Sequence, residues 1–286
     1  MSGALEPKAM GRDVVRRDAE LKVRGTATYA FEAPGERPAY AHLVQASIPR
    51  GRVTHMDAAA AQAHDGVLRV LTVFNGEKLA STENPELAIL QDDAVAFRGQ
   101  IIGVVIAESS EAAREAAGLV RVGYHEQPSD SILSAERDDL YAPEDDDSFD
   151  ADTSDGSVAA ALAGAEVTVE ETYSTAMNHN NPLEPHATSA CWQPEDDVPL
   201  VVWDSTQGVH PTRAALCETF GLEQDQVQVV CPYVGGGFGS KGEPHAHVVA
   251  TVMAARAVPG RPVKLAVTRQ QMFFLTGYRT PTIQRM

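Results

Sequence analysis

The most informative stretch of the sequence is Val229-Val-Cys-Pro-Tyr-Val-Gly-Gly-Gly-Phe-Gly-Ser-Lys-Gly-Glu-Pro244. Residues 226–232 have the composition of a strand, and Pro244 opens a predicted helix that extends to about Val258. The glycines therefore connect a strand to a helix. Glycine lets a backbone approach a ligand closely, and the free N–H groups where a chain turns into a helix suit anionic oxygens. The loop predicts a site for an anionic or oxygen-bearing cofactor.

Two common phosphate-binding loops fit this stretch poorly. A Walker A loop is excluded, because Ser240 stands where a glycine should precede Lys241, and Gly242 stands where a magnesium-binding Ser or Thr should be. Residues 237–242 do fit the dinucleotide pattern G-x-G-x-x-G, but the next strand ends in Thr268-Arg-Gln270 without a carboxylate for a ribose. A Rossmann-like nucleotide-binding oxidoreductase stays open as an alternative, and so does a glycine-rich turn packed against another backbone.

The elements around the loop indicate a mixed α/β arrangement. Residues 198–203 read as a strand, Pro211 suits the first position of a helix that stops at Gly221, and residues 263–268 form a further predicted strand. Gln207 falls between the first strand and the helix. An ordinary polar role at a strand end is the plain interpretation of Gln207.

The first half of the chain has a different pattern. Strand composition recurs at residues 40–48, 95–107 and 120–124, and an alanine-rich helix is expected at 111–119 with Ser110 as its N-cap. This pattern predicts an α+β domain.

An acidic stretch separates the two halves. About half of residues 136–156 are acidic, and such like charge cannot collapse into a core. A solvated connector is expected, because the stretch lacks the glycine and terminal glutamate of a calcium-binding EF-hand loop. The predicted organisation is a first domain at 1–134, an acidic linker at 135–160 and a second domain at 161–286.

Bulk composition excludes several classes of partner. The 286 residues carry a net charge of -17, which argues against binding to nucleic acid or to an anionic membrane. No run approaches the roughly 20 apolar residues of a membrane span, and residues 1–25 lack the apolar core of a signal peptide. Asp18 and Glu20 also rule out a twin-arginine signal at Arg16-Arg17. A cytoplasmic location is expected.

Several short motifs, in order, resemble the xanthine dehydrogenase/aldehyde oxidase family. The loop itself and Gln207 resemble its molybdopterin-binding region, and the fold that this resemblance implies is α+β: an α/β-hammerhead domain followed by the first part of a mixed α/β molybdopterin-binding domain. In some details the chain looks nearest to the bacterial periplasmic aldehyde oxidoreductase branch. The other segments that carry the resemblance are Arg24-Gly-Thr-Ala-Thr-Tyr29, Phe97-Arg-Gly-Gln100, Asn181-Pro-Leu-Glu-Pro-His-Ala187, Gly260-Arg-Pro-Val263, Arg269-Gln-Gln-Met272, Tyr278-Arg279 and Ile283-Gln-Arg285.

The resemblance implies a cofactor and partners. In the family, molybdenum held by molybdopterin, in bacteria often as a cytosine dinucleotide, hydroxylates a carbon with oxygen from water. Electrons leave through [2Fe-2S] clusters and often FAD, which are expected here on iron–sulfur and FAD partner subunits. Carried over, Gln207 would hydrogen-bond a molybdenum ligand and the Phe238 N–H would face the metal's ligands, so both contact the metal only indirectly. The full set of predicted cofactor-binding residues is Gln207, Gly208, Gly236, Gly237, Phe238 and Gly239.

The resemblance also implies what this sequence lacks. Purine-oxidising members carry a glutamate directly after the loop lysine, whereas here Gly242 follows Lys241 and Glu243 comes next. An aldehyde or heteroaromatic substrate is therefore expected rather than xanthine. The family's general-base glutamate lies far downstream, so no catalytic residue is predicted within these 286 residues, and the chain is expected to be a truncated or split subunit that needs a second molybdenum-binding part. A non-catalytic assembly module of the hammerhead type stays a further alternative.

Two histidine-containing segments are expected to be structural. Glu184 and His186 mark the start of the resembling domain and are interpreted as structural residues rather than an acid–base pair. His245 and His247 are two apart in a predicted helix, so they are expected to point to different sides and not to share a metal.

Overall fold

The computed structural model describes residues 10–11, 13–145 and 150–286. Part of the predicted acidic linker, residues 146–149, lies outside the described residues. Short 3₁₀ helices occur at Ala30–Glu32 and Gln224–Gln226. The α-helices are α1 (Ala19–Val23), α2 (Ala59–Gln62), α3 (Ser110–Ala117), α4 (Val158–Gly164), α5 (Val209–Phe220), α6 (Ala246–Ala257) and α7 (Arg269–Leu275). The strands are β1 (Ala39–Gln45), β2 (Gly51–Asp57), β3 (Val67–Thr72), β4 (Ala94–Val95), β5 (Ile101–Ala107), β6 (Arg121–Glu126), β7 (Thr172–Thr175), β8 (Ala187–Trp192), β9 (Leu200–Asp204), β10 (Val227–Val230), β11 (Val263–Ala266) and β12 (Thr282–Arg285).

One seven-stranded sheet runs through both predicted domains. Its strand order is β10-β9-β8-β11-β1-β5-β3, and β1 pairs in parallel with β11 through Ala39 and Val263. Strands from before and after the acidic stretch are thus neighbours in one sheet. The boundaries at 134 and 161 stay a prediction, and the two parts they define are not separate in their backbone hydrogen bonding.

The core lies where this sheet meets α6. This helix is made almost wholly of alanine, valine and other apolar residues, so it has no polar face, and ten of its twelve residues are buried. It packs against β8 and β11 on one side and contacts β5 of the first part. The apolar cluster around it includes Val104 and Ile106 of β5 as well as Leu200 and Leu265. Burial therefore joins the two parts, as does the sheet.

The first part of the chain contributes strands to the seven-stranded sheet and also has a smaller sheet of its own. All seven residues of β5 are buried, as its continuous run of branched side chains predicts. A three-stranded sheet of order β4-β2-β6 lies in the same part, and α3 packs against β1 and β5. These elements hold a smaller apolar cluster that includes Val53, Val70 and Val105.

Several predicted boundaries differ from the structure by a few residues. The predicted strand at 95–107 is two strands, β4 and β5, because the chain turns between them at Gly99, whose φ is +93°. Ser109, not Ser110, caps α3, since its side chain accepts the N–H of Ala112. Such offsets arise because neighbouring serines are equally good caps in sequence and only the tertiary path selects one.

The prolines mark helix starts only approximately. Pro211 is the third residue of α5 rather than the first, and Gly208 is the N-cap. Pro244 precedes α6, whose N-cap is His245. Pro211 is tolerated because the first-turn N–H groups of a helix have no intrahelical partner, whereas Pro244 lies outside its helix. Helix α5 ends at Gly221, as predicted, and this glycine adopts the left-handed conformation.

The sheet topology brings four chain segments to one edge. Strands β9 and β10 are parallel, so their carboxyl ends lie side by side. Strand β8 is antiparallel to β9 and begins at that edge, and β11 is antiparallel to β8 and ends there. We call this side of the sheet the loop edge. Among the described residues, no helix is long and apolar enough to cross a membrane.

The shared sheet predicts that the two parts unfold together. Replacing Ile106 of β5, which is fully buried, by alanine should lower the free energy of unfolding by about 2–5 kcal/mol through loss of apolar contact and a cavity. The reporters are Trp192 and Trp203, which both lie in the second part. In Ile106→Ala, the denaturant midpoint measured by tryptophan fluorescence should fall by as much as the midpoint measured by circular dichroism. Leu119→Ala, at a position that is 40% exposed, is the control and should change neither midpoint much. An unshifted tryptophan transition in Ile106→Ala would show that the parts unfold independently.

Candidate functional site

The glycine loop lies at the loop edge with three other segments. The segment before β8 carries Glu184 and His186, the turn after β9 carries Gln207, and Arg269 begins α7 just after β11. The loop itself follows β10. A crevice at the carboxyl ends of neighbouring parallel strands is a common place for ligand sites in α/β proteins.

A buried ion pair fixes both ends of the loop. The Lys241 Nζ lies 2.9 Å from Glu184 Oε2 and donates to the Glu184 carbonyl oxygen at 3.0 Å. The same Oε2 accepts the N–H of Gly235 at 2.6 Å. The side chains of Lys241 and Glu184 are 0% and 14% exposed. Burial lowers the pKa of Lys241, and the Glu184 carboxylate opposes that effect. These contacts agree with the structural role expected for Glu184.

Gln207 is attached to the loop by three hydrogen bonds. Its backbone N–H donates to the Lys241 carbonyl at 2.7 Å. Its side-chain Oε1 accepts the N–H of Gly239 at 3.1 Å and the N–H of Lys241 at 3.3 Å. The Nε2 group of Gln207 has no hydrogen-bond partner among the described residues, and Gln207 is exposed. The structure brings Gln207 together with the predicted loop residues.

Two glycines are required by close approach. A Cβ on Gly237 would lie 2.3 Å from Gln207 Oε1, and a Cβ on Gly235 would lie 2.4 Å from the Glu184 Cβ. Side chains at either position would displace the residues that hold the loop. The glycine-rich sequence is therefore explained partly by packing of the loop against its own supports.

Phe238 sits at the exposed tip of the loop. Its φ is +54°, a left-handed conformation that costs energy for a residue with a side chain, and its neighbours Gly236 and Gly239 also have positive φ. The Phe238 carbonyl accepts the Asn180 Nδ2 at 2.6 Å, and the side chain is 69% exposed. The strained conformation is thus held by a specific contact.

The loop leaves backbone donors free. Over residues 10–11, 13–145 and 150–286, the N–H groups of Gly236, Gly237 and Phe238 have no protein acceptor. Together with Gln207 Nε2 they make a group of hydrogen-bond donors suited to anionic oxygens. Gly208 differs, because its N–H donates to Thr206 Oγ1 at 3.0 Å and it caps α5.

Three histidines lie behind the loop, and the expectation that His245 and His247 point to different sides is wrong. His245 is the N-cap of α6 and not a residue within it, so helical spacing does not separate the two side chains. Their ring centroids are 6.4 Å apart, and each lies within 5.6 Å of the His186 ring. Among the described residues, no group of three or more potential ligands could hold a metal ion.

Sequence reasoning missed two supports of the site. Asn180 holds the Phe238 carbonyl, and the Arg269 guanidinium donates to the carbonyls of Pro182 and Leu183 at 2.7 and 3.0 Å. Both residues lie in or beside motifs that carry the family resemblance. Nothing in their spacing indicates which backbone oxygens they bind, because the partners are distant in sequence.

Asp204 is a buried carboxyl group beneath the site. Burial raises its pKa to about 6, and a 2.6 Å hydrogen bond from Thr188 Oγ1 opposes that shift only in part. The folded state therefore favours the protonated, neutral form of Asp204. Its contribution to stability is therefore complete below about pH 4 and is lost as the pH rises through about 6.

Asp204→Asn should stabilise the chain at neutral pH. The amide can still accept from Thr188 but does not ionise, so the free energy of unfolding of the variant, relative to the wild type, should rise by about 1–3 kcal/mol from pH 4 to pH 7. Chemical denaturation at a series of pH values measures this difference. Asp65→Asn, at an exposed aspartate, should show little change. The stability advantage of Asp204→Asn over the wild type should be larger at pH 7 than at pH 4. An advantage that is smaller at pH 7 than at pH 4 would contradict the raised pKa of Asp204.

Comparisons with known proteins agree on one family. Residues 24–128 match the model described as the aldehyde oxidase and xanthine dehydrogenase a/b hammerhead domain, and residues 141–286 match the molybdopterin cofactor-binding domain. The chain is 34% identical over 281 residues to the aldehyde oxidoreductase molybdenum-binding subunit PaoC of Escherichia coli K12, covering 98% of this chain and 37% of that subunit. It thus spans little more than a third of the length of that relative.

Solved structures share the fold. Quinoline 2-oxidoreductase from Pseudomonas putida 86 superposes with a TM-score of 0.82 at 24% identity, over 99% of this chain and 37% of that one. Aldehyde oxidoreductase from Desulfovibrio gigas gives a TM-score of 0.70 at 26% identity, over 93% of this chain and 31% of that one. Both expected domains, the hammerhead and then the molybdopterin-binding domain, are confirmed in that order. The chain belongs to the xanthine dehydrogenase/aldehyde oxidase family of molybdenum-containing oxidoreductases.

Proposed function

We propose that this chain supplies the glycine-loop wall of a molybdenum cofactor pocket in an enzyme that hydroxylates an aldehyde or heteroaromatic substrate with oxygen from water. The observation that carries the proposal is the group of donors at the loop edge. The free N–H groups of residues 236–238 lie in the glycine loop, and the Nε2 of Gln207 belongs to the neighbouring turn, which is hydrogen-bonded to that loop. Such preorganised donors stabilise developing negative charge on oxygen.

The residues present fit an oxygen-bearing cofactor. Gly237 must lack a side chain for Gln207 to reach the loop, and Phe238 is kept in a strained conformation at the exposed tip. Strain of this kind concentrates at ligand sites. The donors are neutral amides. They can donate hydrogen bonds to an anionic pterin–metal group without placing a positive charge in contact with it.

Each residue has a distinct task in this proposal. The N–H of Phe238 and the Nε2 of Gln207 would donate to oxygen atoms of the cofactor, and Gly236, Gly237 and Gly239 would let its ligands come close to the backbone. Gly208 would contribute by shaping the turn that carries Gln207. When bound, the molybdenum centre supplies the two-electron oxidation of the substrate carbon. The protein residues orient the cofactor and stabilise its negative charge.

The rest of the pocket is proposed to come from other protein. Phe238 in the loop is 69% exposed, and Leu183, next to the Glu184 that holds the loop, is 90% exposed. Exposed apolar surface beside a site typically marks an interface. We propose that further molybdenum-domain sequence, as a continuation or a second subunit, covers this surface and supplies the general-base glutamate. Iron–sulfur and FAD subunits would carry electrons away.

The substrate class and the pterin form are further proposals. Glu243, displaced by one residue from the position of the purine enzymes, is exposed. The relative PaoC is an aldehyde oxidoreductase subunit, and quinoline 2-oxidoreductase acts on a heteroaromatic compound. These observations support an aldehyde or heteroaromatic substrate, and a bacterial relative favours the cytosine dinucleotide form of the cofactor.

A nucleotide-binding interpretation of the loop is less well supported. In the described part of the chain, the seven-stranded sheet has four antiparallel pairs and two parallel pairs, β9 with β10 and β1 with β11. A Rossmann domain instead binds its dinucleotide at a mostly parallel, doubly wound sheet. The loop also follows an edge strand, β10.

Metal and pterin analysis tests the proposal. The chain, purified together with the sequence that completes the pocket from a host that makes the cofactor, should carry molybdenum and yield a fluorescent pterin on oxidation. Gly237→Ala should lower both about tenfold, because its Cβ displaces Gln207 and removes about one hydrogen bond's worth of affinity. Gly164→Ala, where an added Cβ meets nothing within 4 Å, is the matched control. Bound NAD or FAD in place of molybdenum would overturn the proposal.

Turnover gives a second result. The isolated chain should not reduce a redox dye in the presence of an aldehyde, since the general base is proposed to lie elsewhere. Substrate-dependent dye reduction by the isolated chain would contradict that part of the proposal.

A further inference from the structure

The peptide group between Ser240 and Lys241 connects two sets of contacts. On one side, the Ser240 carbonyl oxygen lies 2.8 Å from His186 Nε2 and 2.7 Å from His245 Nε2. On the other, the Lys241 N–H of the same peptide group donates to Gln207 Oε1. One planar unit thus joins the histidines behind the loop to the glutamine in front of it.

The contacts determine the protonation of both histidines. A carbonyl oxygen only accepts, so each Nε2 must carry a hydrogen. His186 Nδ1 is buried with no partner among the described residues, which leaves His186 neutral; burial lowers its pKa to about 3. His245 Nδ1 lies 2.5 Å from Glu86 Oε1. Burial opposes charge on His245, but Glu86 and Ser240 outweigh that effect, so the pKa of His245 is raised.

We propose that His186 and His245 are positioning residues, which fix and polarise the Ser240–Lys241 peptide through two donated hydrogen bonds and so hold Gln207 with its Nε2 free. A carbonyl that accepts two N–H donors makes the N–H of the same amide a stronger donor, because hydrogen bonds in a chain polarise one another. The Lys241 N–H therefore binds Gln207 Oε1 more firmly. The significance of the free Nε2 rests on the proposed function, but the loop contacts do not.

The surroundings make this arrangement specific. His247 is buried beside both rings, burial keeps its pKa well below the ordinary value, and its ring nitrogens have no partner in the described chain. Asp204 and Glu86, the latter from the first part of the chain, raise the pKa of His245, whereas Lys241 lowers the pKa of His247. Only His186 and His245 of the three histidines reach the Ser240 carbonyl. His247 therefore serves as a control in the same cluster.

Amide hydrogen exchange in the cofactor-free chain tests the proposal. His186→Leu and His245→Leu should each speed exchange at Gly239 and Lys241 about tenfold, as loss of one supporting hydrogen bond does. His186→Gln and His245→Gln keep an N–H₂ donor and should restore most of the protection. His247→Leu should not affect these two amides selectively. Unchanged rates at Gly239 and Lys241 in the leucine variants, or an equal rise throughout β1 and β5, would overturn the proposal.

The wild-type chain provides a second measurement that needs no variant to fold. Nitrogen-15 NMR of the imidazoles at pH 7 should show His186 neutral with its proton on Nε2, and His245 with a proton on Nε2. A proton on Nδ1 of a neutral His186, or no proton on Nε2 of His245, would contradict the proposal. Neither measurement involves molybdenum, so failure here and failure to bind the cofactor are separate results.

Discussion

The buried ion pair between Glu184 and Lys241 is the interaction on which the site depends. The Glu184 carboxylate accepts hydrogen bonds from both ends of the glycine loop. The Gly235 N–H donates to it at the beginning of the loop, and the Lys241 ammonium group donates to it at the end. Removing either partner would leave an uncompensated charge in a buried place, which is far more costly than a missing surface contact. The pair therefore sets the closed shape of a loop whose glycines would otherwise allow many conformations.

The fold explains why these residues meet. Parallel pairing of β9 with β10 brings the turn that carries Gln207 next to the glycine loop, and the antiparallel β8 delivers Glu184 and His186 to the same edge. The parallel pairing of β1 with β11 then ties the hammerhead part to the molybdenum-domain part. Glu86 of the first part reaches His245 of the second, so the support of the site crosses between the two matched domains.

Much of this could be predicted from the sequence, and the remainder has physical reasons. The glycine loop, its place between strand and helix, and the family follow from local patterns and ordered motifs. Pairing partners do not, because the Asn180 contact with Phe238 and the His245 contact with Glu86 join residues far apart in the chain. The two histidines at 245 and 247 illustrate the limit: the helical spacing rule fails when one residue is the cap and lies outside the helix.

Glu184 and Lys241 act as one unit to hold the loop. A double-mutant cycle of Glu184→Gln, Lys241→Met and the double variant, read from unfolding free energies, tests it most directly. We expect each single variant to lose about 3–5 kcal/mol and the double variant to lose far less than their sum, a coupling of at least about 2 kcal/mol. Additive losses within about 0.5 kcal/mol would contradict the claim.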